Sequence, residues 1–353
     1  MTAISDLDTP AVLIDINRVE ANLSRAQDYA DRHGLKLRPH IKTHKLPRFA
    51  KRAMDLGAVG ITVQKLGEAE VFADAGITEI FLPYNIIGAA KLARLKVLHE
   101  RVNISVTADS TETVEGLSRA FAASDKPLTV LVECDTGMGR CGVQTPAAAL
   151  ALAEKIANSP GLRFGGLMTY PAAGQVEANA NFLADAKALL ADAGLPAAVI
   201  SNGGTPDLWR AHEVTAATEH RPGTYIYMDR FQVAKGVGSF DDCALTVLAT
   251  VVSRPTKDRA IIDAGSKALT SDTLGMTGFG LIETYPDAVI SGLSEEHGTI
   301  DFTNCATKPQ IGEKLRIIPN HACVVSNLFD TVTLISKDQV VETVRVDARG
   351  RVD

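Results

Sequence analysis

Several things are scarce in this 353-residue chain, and each shortage excludes a class of protein. No stretch approaches the roughly 18 consecutive apolar residues of a membrane-spanning helix. Residues 1–9 carry neither a basic nor an apolar segment, so no secretory signal is expected. The five cysteines (Cys134, Cys141, Cys243, Cys305 and Cys323) have no CxxC spacing, and an odd count without a signal fits a reducing cytoplasm. Positive charge is in deficit: 36 Lys and Arg stand against 42 Asp and Glu, a net charge of −6. Nucleic-acid binders need a concentrated positive surface, so neither nucleic acid nor membrane is expected as a partner. Internal repeats and low-complexity tracts are missing as well. With 46% hydrophobic and 22% charged residues, the chain reads as a cytoplasmic globular enzyme long enough for about two domains.

What is present has two textures. From Asp15 to about Met228, short β-rich runs alternate with Ala- and Leu-rich helical stretches. The expected strands are 35–42, 59–64, 79–84, 102–108, 128–135, 164–170, 197–202 and 218–227. Eight strand–helix units match a (β/α)8 TIM-type barrel, with a doubly wound open sheet as the competitor. From about Asp241, β-branched runs dominate at 244–253, 260–264, 314–319, 330–336 and 340–346, and helical periodicity fades. The expected fold class is α/β: a barrel over 12–236, then a smaller C-terminal all-β domain over 237–353 joined by residues 1–11. Lys235-Gly236-Val237-Gly238-Ser239 reads as a hinge, and residues 11–15 as a strand added to the β domain.

In a barrel, reactive groups collect at the C-terminal ends of the strands. The first such end carries Arg38-Pro39-His40-Ile41-Lys42-Thr43-His44-Lys45. A buried amine is disfavoured as ammonium, so a lysine there becomes a usable nucleophile near neutral pH, as a Schiff-base lysine must be. A basic, solvated loop is the ordinary alternative for such a run. The last two strand ends carry Ser201-Asn202-Gly203-Gly204-Thr205 and Arg221-Pro222-Gly223-Thr224-Tyr225. Exposed backbone N–H groups in glycine turns can cradle a phosphate at the place where barrels commonly bind one. Either turn alone is better read as a tight turn. With a lysine at the first strand, the phosphate reading overtakes that one, and the combination implies pyridoxal 5'-phosphate.

The ordered set of motifs resembles the D-threonine aldolase/D-serine dehydratase family of alanine-racemase-like, pyridoxal-phosphate enzymes. Besides the Arg38–Lys45 run it comprises Gly139-Arg140-Cys141-Gly142, Asn202-Gly203-Gly204-Thr205, Pro222-Gly223-Thr224-Tyr225, Asp263-Ala264-Gly265-Ser266-Lys267, Glu296-His297-Gly298 and Pro319-Asn320-His321-Ala322-Cys323. Together they span essentially the whole chain. The resemblance implies that Lys42 forms the Schiff base, with Lys45 a helix or loop lysine. It implies Arg140 near the cofactor's phenolic oxygen or the substrate carboxylate, Tyr170 beside the pyridine ring, and Gln64 at the end of the second strand. Asn202, Gly203, Gly204, Gly223 and Thr224 would hold the phosphate, and Arg221 would face the pyridine nitrogen and keep it unprotonated.

His321 and Cys323 are two apart, so on an extended chain both would point to one side and could ligate one ion. A buried cysteine beside a satisfied histidine is the ordinary reading of an isolated HxC. The resemblance supplies a divalent metal (Zn2+, Mn2+ or Mg2+) that polarises a β-hydroxyl. Family members also carry a histidine shortly after the tyrosine of the sixth strand. This chain reads Tyr170-Pro171-Ala172-Ala173-Gly174-Gln175-Val176-Glu177, without one. A retro-aldol reaction would then need another base, with His44 and His297 as candidates.

The resemblance implies an aldolase acting on D-3-hydroxy amino acids. A dehydratase of D-serine or D-threo-3-hydroxyaspartate, giving a 2-keto acid and ammonia, is the alternative. A non-catalytic pyridoxal-phosphate-binding protein would lack the metal-bearing β domain. A racemase would need a second base, for which that domain offers Tyr285. The class forms two-fold dimers, so a homodimer is expected, with Asp263–Lys267 and Glu296–Gly298 approaching the partner's site.

Overall fold

The computed structural model describes residues 3–353, so the first two residues of the expected 1–11 segment lie outside the described residues. The chain divides into two compact units. One comprises the N-terminal segment to Ser24, Thr43–Lys45 and Thr224–Gly350; the other comprises Arg25–Lys42, Leu46–Gly223 and Arg351–Asp353. One boundary falls inside the helix Ile16–Arg32 and another between Gly223 and Thr224.

The second unit is a parallel eight-stranded barrel. In chain order its strands are Lys36–Leu37, Ile61–Thr62, Glu79–Asn85, Asn103–Ala108, Leu128–Cys134, Leu162–Thr169, Val199–Asn202 and Glu219–His220. All eight expected strands are present, but the first, second and last are far shorter than expected. Pro39 explains the first: it has no N–H to give a ladder. The backbone stays extended past it, with Arg38 N–H on His220 C=O at 3.0 Å and His40 N–H on Pro222 C=O at 2.9 Å. An isolated parallel bridge between His40 and Thr62, with Thr62 N–H on Pro39 C=O at 2.8 Å, closes the ring. Lys42 therefore sits in a single 3-10 turn, Ile41–Thr43, and not on the strand.

Helices such as Thr111–Phe121 and Pro146–Ala157 wrap the barrel. Ser110 and Thr145 cap them, each side-chain oxygen accepting from a backbone N–H three residues on. Inside, Phe81, Leu131 and Met168 pack together with Val199. Positions two further along three of these strands, Glu133, Tyr170 and Ser201, share that inward side, so polar groups sit directly above an apolar layer.

The first unit is built on a nine-stranded sheet. Ala11–Asp15 lies between Leu245–Ser253, antiparallel, and Thr331–Ser336, parallel, as the sequence led us to expect. The unit is not purely β. It holds the short helices Arg230–Ala234, Ser266–Leu269 and Ala322–Leu328. Gly-rich and polar flanks hide such short helices, because one or two turns are too few to show periodicity. Among the described residues, no helix is long and apolar enough to cross a membrane.

Candidate active site

His40 organises the segment that carries the lysine. Its Nδ1 accepts from the Lys42 backbone N–H at 3.3 Å, which leaves Nε2 as the protonated nitrogen, donating to Gln64 Oε1 at 3.0 Å. Gln64 is fixed in turn, its N–H bonded to Glu68 Oε2 at 2.7 Å. Gln64 thus orients the histidine that orients the lysine turn. Lys42 is half-buried, with Nζ 5.9 Å from the centre of the Tyr170 ring. The Arg140 guanidinium lies 5.1 Å from the same centre. Arg140 rides on a loop stapled by Asp135, whose Oδ1 accepts from the N–H groups of Gly137 at 3.0 Å and Gly139 at 3.1 Å. Lys45 is buried elsewhere, in the first unit, and gives its Nζ to the Ala348 carbonyl at 3.3 Å.

The turn Asn202-Gly203-Gly204-Thr205 needs glycine at its two central positions. Gly203 has φ +88°, and a Cβ there would come within 2.0 Å of the His220 ring; one on Gly204 would come within 2.7 Å of the Tyr170 ring. His220 Nε2 bonds the Gly204 carbonyl at 3.0 Å, while its Nδ1 is buried with no partner. Burial, reinforced by the adjacent Arg221 charge, pulls the His220 pKa down to about 4, so the ring is neutral and Nε2 is the donor. Asn179 Nδ2 holds the Asn202 side chain at 2.9 Å. The Gly223 N–H donates to Thr205 Oγ1 at 3.1 Å, so it is not among the donors open to a phosphate. The buried N–H groups of Gly203 and Gly204 give no hydrogen bond among the described residues. Buried N–H groups are nearly always paired, so these two mark a place for an anion.

Arg221 is 4% exposed. Its Nη1 donates to Ser201 Oγ at 2.6 Å and its Nη2 to the Thr169 carbonyl at 2.7 Å. A guanidinium carries five N–H donors, so the other three are left without an acceptor among the described residues. Burial pulls its pKa down to about 10, with Glu219 and Glu133 opposing that shift. Glu133 is itself buried on the inward face, where burial and the Asp109 charge raise its pKa. An amine beside an aromatic ring, two buried N–H groups and a buried cation with spare donors form a donor set that fits pyridoxal phosphate.

In the first unit, His321 stands just before the helix Ala322–Leu328, without a side-chain capping bond to it, and Cys323 sits in its first turn. The pair therefore straddles a helix start and is not on an extended chain. The two side chains still meet, in a hydrogen bond to one another. Burial lowers the His321 pKa, but that bond and the neighbouring charges outweigh it and carry it to about 9. His321 Nδ1 lies 2.6 Å from Asp272 Oδ2. That contact orients the ring, and an ion held between Nε2 and Cys323 would take the place of the proton the two share, in a carboxylate–histidine–metal arrangement. Cys323 Sγ is met by the hydroxyls of Thr43 at 3.1 Å and Thr224 at 3.4 Å. A nitrogen, a sulfur and an orienting carboxylate fit a divalent ion with most of its coordination left open. No group of three or more possible metal ligands occurs among the described residues. His44 is buried, its ring edge-on to Tyr227 at 6.5 Å, and His297 is exposed between strands Val289–Leu293 and Gly298–Asp301.

Residues 14–231 match the family described as alanine racemase, N-terminal domain, and residues 244–335 the one described as a putative serine dehydratase domain. A D-threonine aldolase from an Arthrobacter species is 36% identical over 98% of this chain and 94% of its own length. The chain belongs to the D-threonine aldolase/D-serine dehydratase family. A D-threo-3-hydroxyaspartate dehydratase from Delftia sp. HT23 is 33% identical over 96% of both chains. The crystal structure of D-threonine aldolase from Filomicrobium marinum superposes with a TM-score of 0.92 at 33% identity, covering 99% of this chain and 98% of that one.

Several residues of this site were not anticipated: Asn179, Glu219, His220 and Asp272, while Ser201 was read only as part of a glycine turn. One signal was available. Glu219-His220-Arg221 puts three polar residues in a row on a strand that should be buried, and buried charge in a barrel strand asks for a reason. Nothing local to Asp272 announces its pairing with His321, 49 residues away.

Proposed function

We propose that this chain is a pyridoxal-phosphate- and divalent-metal-dependent lyase that cleaves D-3-hydroxy amino acids to glycine and an aldehyde. The observation that carries the reading is the 36% identity with the Arthrobacter D-threonine aldolase over nearly the full length of both chains. When bound, the cofactor supplies an electron sink for a bond broken at Cα and the ion a Lewis acid at the β-hydroxyl. Lys42 would hold the cofactor through its amine, Gly203 and Gly204 would take its phosphate through their N–H groups, and Arg221 would donate to its ring. Arg140 takes the phenolic oxygen or the substrate carboxylate, as a planar, permanently charged donor can. The Lys42 amine would be the group that takes or returns a proton at Cα. His321 and Cys323 hold the ion, with Asp272 orienting the imidazole. In support, a D-threo-3-hydroxyaspartate dehydratase variant, 30% identical with a TM-score of 0.90, is described in a metal-free form.

The base for the β-hydroxyl proton is the open position in this scheme. His44 and His297 are the imidazoles we propose. Whichever acts should cost roughly 10²–10⁴-fold in rate when changed to Gln, and a loss in neither variant removes both. The second reading is the dehydratase, favoured by the absence of a histidine in Tyr170–Glu177. That reaction needs a base at Cα and an acid at the oxygen, so it does not call for the missing group. One assay separates the two. The protein with pyridoxal phosphate and Mn2+ or Zn2+ is given D-threonine, D-serine and D-threo-3-hydroxyaspartate, and glycine, ammonia and keto acid are measured separately. Glycine without ammonia is expected; ammonia with keto acid overturns the aldolase.

A further inference from the structure

The barrel interior contains a hydrogen-bonded chain that the scheme above does not use. Arg38 Nε donates to Glu219 Oε2 at 2.9 Å, and the Ser201 hydroxyl donates to Glu219 Oε1. Ser201 Oγ then accepts from Arg221 Nη1 at 2.6 Å, and Arg221 Nη2 ends the chain on the Thr169 carbonyl. Register explains the meeting. Ser201 is the direct cross-strand partner of Glu219, and Glu219 and Arg221 are two apart on one strand, so they share its inward side. Ser201, Glu219 and Arg221 are 0%, 3% and 4% exposed.

The polarity of this chain has one solution. Glu219 accepts at both oxygens, which commits the only Ser201 proton to it and leaves Ser201 only lone pairs to offer Arg221. Arg221 is thereby pinned at both terminal nitrogens as a donor, with Phe81 5.7 Å away at the ring centre. Three N–H groups remain to face whatever enters the barrel. We propose that Ser201 and Glu219 are positioning residues. They lock the Arg221 guanidinium in one orientation, so that its free N–H groups meet a ring acceptor of the cofactor without reorganisation. The titratable groups acting on Arg221 are Glu219, Glu133, Arg38 and Tyr170, and Glu219 is joined to it through the serine.

This inference rests on the cofactor reading, and the experiment keeps the two apart. The unsubstituted protein, Ser201→Ala and Glu219→Gln are loaded with pyridoxal phosphate, and the visible absorbance of the bound cofactor is titrated with pH. That absorbance follows the electronics of the cofactor ring, which the orientation of Arg221 sets. Both variants should retain the cofactor through Lys42, with the midpoint moved by about one pH unit, the equivalent of one charge-assisted hydrogen bond. An unmoved midpoint in a variant that keeps its melting temperature overturns the positioning role. Should Glu219→Gln not fold, Ser201→Ala carries the test alone, since it removes a single oxygen from a wholly buried position. No visible band in the unsubstituted protein would overturn the cofactor reading, and this proposal with it.

Discussion

The arginine cluster of the barrel and the histidine–cysteine pair of the sheet unit handle polar groups in different ways. Ser201, Glu219 and Arg221 are at most 4% exposed, and their mutual hydrogen bonds fix every orientation before anything binds. The side chains of His321 and its partner Asp272 are 27% and 36% exposed, and His321 and Cys323 offer two donors to an ion that prefers four or more. A buried cation is expensive unless it is paired, and two of Arg221's donors are committed to Ser201 and the Thr169 carbonyl, so the barrel cluster is held rigid with its remaining donors left for a ligand. A half-exposed donor pair can leave coordination to water and substrate, so it is open and exchangeable. The difference teaches that cofactor retention and metal retention should be separable in this protein.

The largest effects test that separation directly. Lys42→Ala should abolish the absorption band near roughly 410–420 nm expected of a lysine-bound cofactor, together with activity, and a persisting band would end the assignment. It should leave metal binding by His321 and Cys323 unchanged. Cys323→Ala is the reciprocal experiment. Activity should fall and cease to respond to added Mn2+ or Zn2+, while the visible band remains. A variant whose activity still rises with added ion would remove the metal pair from the scheme.

The fold and the site were legible to different depths, for physical reasons. Alternation of strand and helix needs only local pattern, so all eight barrel strands and the added strand Ala11–Asp15 could be read from the sequence. Lys42, the Gly203-Gly204 turn and the His321–Cys323 pair came forward as candidates only through the order of the motifs along the chain, since each alone has an ordinary structural reading. Strand lengths around Pro39 could not, since they depend on which N–H finds which carbonyl across the ring closure. The Arg38–Glu219–Ser201–Arg221 chain was equally out of reach. It is made by register between residues 18 to 181 positions apart, and register is set by the whole barrel. The His321–Cys323 geometry was misjudged for a related reason. Asp229, wholly buried, accepts from Ala322 N–H at 2.9 Å and starts a helix where the sequence suggested an extended segment.

A finer test of openness is Asp272→Asn. Its Oδ2 orients His321 while its Oδ1 accepts from the Leu274 N–H at 3.3 Å, and it is not itself a ligand, so the substitution should weaken metal affinity by roughly 10–100-fold without abolishing it. Titration with Zn2+ or Mn2+, followed by calorimetry, measures this; an unchanged affinity would mean that the contact orients nothing.

The smallest effect probes how closed the barrel cluster is. His220 is held neutral, its pKa pulled from 6.5 to about 4 by burial and by Arg221. The unfolded chain therefore binds a proton between pH 6.5 and 4 that the folded chain refuses. For such a depressed group the stabilisation is fully present above about pH 6.5 and is lost as pH falls toward 4. From pH 7 to pH 5 this amounts to roughly 1–2 kcal/mol. His220→Gln can still give a side-chain N–H to the Gly204 carbonyl but cannot titrate. Its melting temperature should be lower than that of the unsubstituted protein at pH 7, and the gap should narrow as the pH approaches 5. A gap that stays constant with pH would mean that the imidazole can take its proton in the folded state, and that the cluster around Arg221 is open to water after all.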